Sequence, residues 1–93
     1  MTHKSLDFKK VEVLRRHMLL TTTQAAELMG VSRATYHNWV SGKPIRTANM
    51  ENIKRVVRKL LPIANTGGWP SAEVVRLTAN ERYQRLLVLM EQH

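Results

Sequence analysis

Residues 22–41 read TTQAAELMGVSRATYHNWVS, and the spacing within this stretch decides the fold. Two helices joined by a tight turn must cross closely, which makes three demands on sequence. A small residue has to stand where the helices touch, and Ala26 supplies it. The turn needs a residue at ease with positive φ, which is Gly30. Apolar side chains must pin the second helix from beneath, and Val31, Tyr36 and Trp39 are spaced to do so. Thr21 with Gln24 three residues on matches a capping box, and Ser32 stands where it can cap the next helix. The stretch therefore predicts helices over about 22–29 and 33–40 in a helix-turn-helix; an ordinary helical hairpin is the rival arrangement.

Upstream, Leu6, Val11, Leu14 and Met18, with Phe8 nearby, repeat at helical spacing and predict a helix from Ser5, as N-cap, to about Leu19. Lys9, Lys10, Arg15 and Arg16 fall mostly on its wet face. Downstream, Gly42 stops the second helix of the motif, and a loop runs through Lys43-Pro44-Ile45-Arg46. A fourth helix starts near Thr47 or Asn49, with Met50, Ile53, Val56, Val57 and Leu60 inward. It is expected to stop at Leu60 or Leu61 because Pro62 follows. Asn65-Thr66-Gly67-Gly68-Trp69-Pro70 reads as a linker. Ser71 caps a short helix, and Thr78 with Glu81 forms a second capping box that opens a last helix to about Glu91. The expected architecture is all-α: a helix-turn-helix bundle over 5–62, a linker over 63–70 and a helical tail over 71–93.

The net charge of +8 is unevenly placed. Residues 1–61 carry twelve Lys and Arg against four Asp and Glu, whereas Arg76, Arg82 and Arg85 balance Glu73, Glu81 and Glu91 in the remainder. That distribution fits a first part that meets a polyanion and a tail with another task. With no cysteine, neither a disulfide nor a thiolate metal site is expected. His3, His17, His37 and His93 are scattered, and no nucleophile motif, phosphate-cradling glycine loop or acidic cluster is present. An enzyme is thus the least favoured class, and no cofactor or metal is expected. No apolar run approaches the ~20 residues that cross a bilayer. The opening MTHKSLDFKK lacks the apolar stretch of a signal peptide. The chain reads as a soluble cytoplasmic protein.

Leu14-Arg15, Leu20-Thr21, Ala26 to Ser32, and Trp39 followed by Ser41-Gly42-Lys43-Pro44 fall in one recognisable order. In this the chain resembles the lambda-repressor/Cro-like (XRE) family of helix-turn-helix regulators over roughly residues 8–61. Two positions depart from that pattern: Val40 stands where the family often has an acidic residue, and Gln24 where glutamate is frequent. The segment also resembles excisionase and MerR-like domains, which share Ala-Ala-x-x-x-Gly-Val-Ser and a following Trp. Those continue into a β-wing, whereas this chain continues into a long helical pattern, so the first resemblance is preferred.

What the resemblance implies is a second motif helix lying in the major groove. With Tyr36 and Trp39 inward, it presents Ser32, Arg33, Ala34, His37, Asn38 and Ser41 to base edges. Arg pairs bidentately with guanine and Asn with adenine, while Ala34 or the Thr35 methyl suits a thymine methyl. Thr22, Thr23 and Gln24 at the positive end of the preceding helix, with Lys43 and Arg46, are candidates for the phosphates. A single recognition helix makes few contacts, so a homodimer on an inverted repeat is expected, paired through the apolar stripe Tyr83, Leu86, Leu87 and Met90. The rival use of that stripe is packing on its own domain. The expected function is a transcriptional repressor of a bacterial or phage-infected cell. Alternatives are an antitoxin-type autoregulator with a protein-binding tail and an excisionase-like or architectural accessory protein.

Overall fold

A computed structural model describes residues 7–92, and every regular element among them is an α-helix. These are α1 (Phe8–His17), α2 (Thr22–Met29), α3 (Arg33–Val40), α4 (Thr47–Asn65), α5 (Ala72–Val75) and α6 (Ala79–Glu91). Among the described residues no helix is long and apolar enough to cross a membrane.

Local chemistry accounts for most of the boundaries. Thr21 Oγ1 accepts from Gln24 N at 3.0 Å and Gln24 Oε1 accepts from Thr21 N at 3.1 Å, closing the capping box of α2. Thr78 and Glu81 close the same box at α6. Ser32 caps α3 as expected. At α1 the cap is Asp7, whose carboxylate accepts from Lys9 N at 3.1 Å; the expected cap, Ser5, lies outside the described residues.

Gly30 ends α2 at φ +73°, and its amide and that of Val31 return to Glu27 and Ala26 carbonyls. A Cβ added at Gly30 would meet no atom within 4 Å, so substitution there strains the backbone alone. Gly30→Ala is therefore expected to cost about 1–2 kcal/mol, the penalty of a left-handed L-residue, with packing intact. Thermal unfolding should shift down by roughly 4–8 °C per kcal/mol for a domain of this size.

One boundary is corrected. α4 does not stop before Pro62 but runs through it to Asn65. The missing N–H of Pro62 leaves only the Arg58 carbonyl without its helical partner, and both residues are on the exposed side. Burial of Ile63 one residue later favours continuing the helix, and Thr66 closes it by donating its hydroxyl to the Ile63 carbonyl at 2.8 Å.

α2 packs across α3, α2 rests on α4 and α3 on α1, and α4 in turn packs against both α1 and α6. Phe8 of α1 meets Tyr36 and Trp39 edge-on, with ring centroids 5.1 and 5.7 Å apart, a favoured aromatic geometry. Beside this cluster, Arg15 departs from the wet face expected for it. Its guanidinium binds Glu12 at 2.7 and 3.1 Å and the Leu20 carbonyl at 2.7 Å, tying α1 to the turn before α2. Glu12 also accepts from the Tyr36 hydroxyl.

Burial raises the Glu12 pKa, but hydrogen bonds from Arg15 and Tyr36 outweigh it and hold the carboxyl below its ordinary 4.5. A folded-state pKa below the unfolded one contributes stability that is complete above the unfolded value and is lost as pH falls through the folded one. Acid titration of stability should therefore show a decline as pH falls below about 4.5 that Glu12→Gln makes shallower, as measured by urea unfolding at successive pH values.

Part of the stretch read as a linker, 63–70, is helical or packed. Residues 63–65 belong to α4, and Trp69, placed in the linker by its Gly-Gly and Pro neighbours, is 4% exposed. Its indole Nε1 donates to the Met18 carbonyl at 3.0 Å, at the end of α1. Trp69, Val74, Tyr83, Leu86 and Met90 join the core built by α1 to α4. The stripe expected at a dimer contact is thus occupied within the chain: Leu86 is fully buried, Tyr83 and Met90 nearly so, and Leu87 partly. An apolar stripe on a helix is satisfied by whichever apolar surface it reaches first, and here the chain's own core is adjacent.

Candidate nucleic-acid interface

α3 is held from one side only. Tyr36 and Trp39 anchor it in the core, leaving Ala34, His37, Asn38 and Ser41 at i, i+3, i+4 and i+7 along an exposed stripe, with Arg33 beside its start. The side chains of Arg33, His37 and Asn38 have no hydrogen-bond partner among the described residues, so their polar atoms remain available to a ligand. Ser41 Oγ donates to the Asn38 carbonyl at 2.9 Å and keeps only its acceptor capacity. Ser32 is more fully engaged: its oxygen caps Thr35 N at 3.1 Å and its proton goes to Thr35 Oγ1 at 3.0 Å. Ser32 is exposed at the helix start, yet its hydroxyl serves α3 itself.

The second group of candidates flanks this stripe. Lys43 and Arg46 are exposed in the loop between α3 and α4. They line a notch of about 570 Å³ whose other polar walls include Ser32, Thr35 and Asn38 of the α3 region and Asn49 of α4. The fold thus brings two expected phosphate-binding cations to the same recess as two expected base-reading residues. Asn49 was not among the sequence candidates. Its signal was its position in the first turn of α4, a helix whose cap, Arg46, makes no side-chain hydrogen bond to the leading amides. Those amides and the two cations together give the recess a positive character suited to a phosphate.

At the start of α2 the candidates separate. Thr23 is exposed and Thr22 half-buried, and the capping box leaves their amides without partners among the described residues. Gln24 differs. Its Oε1 closes the capping box and its Nε2 donates to the Ala79 carbonyl of α6 at 3.2 Å. Both ends of the side chain are taken, tying α6 to α2, and the backbone N–H expected to face a phosphate donates to Thr21 Oγ1 instead.

The arrangement offers a convex stripe of hydrogen-bonding groups of helix width, flanked by cations. Such a surface suits a major groove, which admits one α-helix and displays donors and acceptors along base edges. A family model described as helix-turn-helix matches residues 12–60, more than half of the chain. Comparison with curated proteins and with solved structures returns no match. The matched residues run from α1 into α4 and contain the crossing of α2 on α3, the left-handed Gly30 and the exposed stripe. The chain belongs to the XRE-type, lambda-repressor/Cro-like helix-turn-helix family of DNA-binding transcriptional regulators.

Proposed function

We propose that the chain is a sequence-specific repressor that occupies its operator as two copies on an inverted repeat, in the cytoplasm of a bacterial or phage-infected cell. The observation that carries this reading is the α3 stripe: Arg33, His37 and Asn38 are exposed and lack partners among the described residues, and Asn38 shares a recess with Lys43 and Arg46. Arg33 and Asn38 read bases, Ala34 meets a thymine methyl, and Ser41 and His37 supply adaptable contacts. Thr22, Thr23, Lys43 and Arg46 grip phosphates and fix register. An eight-residue recognition helix reads few base pairs, which is why two copies on paired half-sites are part of the proposal.

With the α6 stripe buried, pairing is expected to form on the DNA itself, where adjacent half-sites hold the copies together. The same burial argues against an antitoxin whose free tail captures a toxin. The helical continuation after the α3–α4 loop, in place of a wing, argues against an excisionase-like role.

Selection of sites from a random duplex pool tests the reading. A two-fold symmetric motif with half-sites ~10 base pairs apart is expected. Enrichment of no sequence, with only salt-sensitive binding left, would sink it in favour of a non-specific architectural binder.

A further inference from the structure

On the flank of α3 away from the recognition stripe lies a second recess, a groove of about 650 Å³ between α1 and the α3–α4 loop. Its lining includes Val13, Val40, Ile45 and Met50. Val13 is 68% and Val40 45% exposed, large values for aliphatic side chains that line one groove.

Charge distinguishes what the groove fits. Lys9, Arg16 and Lys43 line it, and none is in an ion pair among the described residues. Two carboxylates also line it, but both are engaged: Asp7 caps α1, and Glu12 is held by Arg15 and Tyr36. Lys9, Val13 and Arg16 follow one another at i, i+4 and i+7, so one face of α1 carries an apolar side chain between two cations. A second copy docked here through a two-fold axis would bring the same cations face to face. An occupant of opposite charge meets no such repulsion.

We propose that this groove is a docking site for an acidic amphipathic helix of a partner protein, whose aliphatic residues cover Val13 and Val40 while its carboxylates meet Lys9, Arg16 and Lys43. None of Arg33, Ala34, His37, Asn38 or Ser41 lines the groove. Trp39, Lys43 and Pro44 line both this groove and the notch beside the recognition stripe, and Lys43 is the cation they share, so partner and DNA bind together with coupling through the start of the α3–α4 loop.

The test uses the full chain, isotopically labelled, and a synthetic helical peptide with leucines on one face and glutamates on the other. Amide shifts are expected at Val13, Val40 and Ile45. Val13→Asp should weaken the peptide about tenfold or more, because it places an unpaired carboxylate in an apolar contact. Its affinity for duplex DNA should stay unchanged. A lysine-for-glutamate peptide should not bind. Shifts confined to Arg33–Ser41 would mean that the peptide merely mimics DNA, and would overturn the proposal. So would equal binding of the basic peptide, absence of binding, or self-association of the chain that Val13→Asp abolishes.

Discussion

Trp69→Ala is expected to bring the chain to the edge of unfolding at room temperature. The indole is 4% exposed, and its removal deletes the side chain that joins the segment after α4 to the end of α1. Truncation of a buried Trp costs about 3–5 kcal/mol. Loss of the indole donor also leaves the Met18 carbonyl unpaired beside Met18, whose side chain is fully buried, adding about 1–3 kcal/mol. Small domains hold only about 5–15 kcal/mol in total, so the sum is a large share of what exists. Trp69→Phe keeps an aromatic ring while losing the hydrogen bond, and should fall between the wild type and the alanine variant. Urea unfolding followed by circular dichroism gives both values. A cost for Trp69→Ala below about 1 kcal/mol, the ordinary level for a point mutation, would mean that the tail is a separate appendage.

The same residue shows where the sequence was hard to read. The motif helices were legible because each boundary is set locally: Thr21–Gln24, Gly30 and Ser32 act within three or four residues of themselves. Tyr36 and Trp39 were legible as core because helical spacing puts them opposite the polar stripe. Trp69 was not, since two glycines and a proline describe the backbone around it but not where its side chain goes. Its partner is a carbonyl 51 residues earlier. Pro62 misled in a similar way: its local preference against helix was overcome by burial of Ile63, a tertiary effect. Leu19, at φ +62° in the turn before α2, is another such case, a left-handed leucine that no local rule announces. In the candidate site, exposure of the α3 stripe followed from periodicity. The engagement of Gln24 by Ala79 required knowing that α6 folds back.

Replacing Arg33 and Asn38 by alanine should remove most of the chain's ability to distinguish one duplex from another. Each bidentate contact to a base discriminates by ~1–3 kcal/mol, and the two residues sit on successive turns without a shared partner, so their losses should add. Arg33→Ala should relax the preference at one base position and Asn38→Ala at a different one, with the double variant flat at both. Folding is not at risk, because both side chains are exposed and bonded to nothing else among the described residues; surface changes of this kind stay within about ±0.5 kcal/mol. Lys43→Ala and Arg46→Ala provide the contrast. If these side chains neutralise phosphates, each should weaken binding to every sequence alike and lower the slope of log affinity against log salt by ~1. Competition binding against a panel of single-base operator variants, repeated at several salt concentrations, separates the two behaviours. If Arg33→Ala and Asn38→Ala act like Lys43→Ala, lowering affinity uniformly and changing the salt slope, the stripe is not reading bases. Specificity would then have to come from DNA shape sensed through the phosphates.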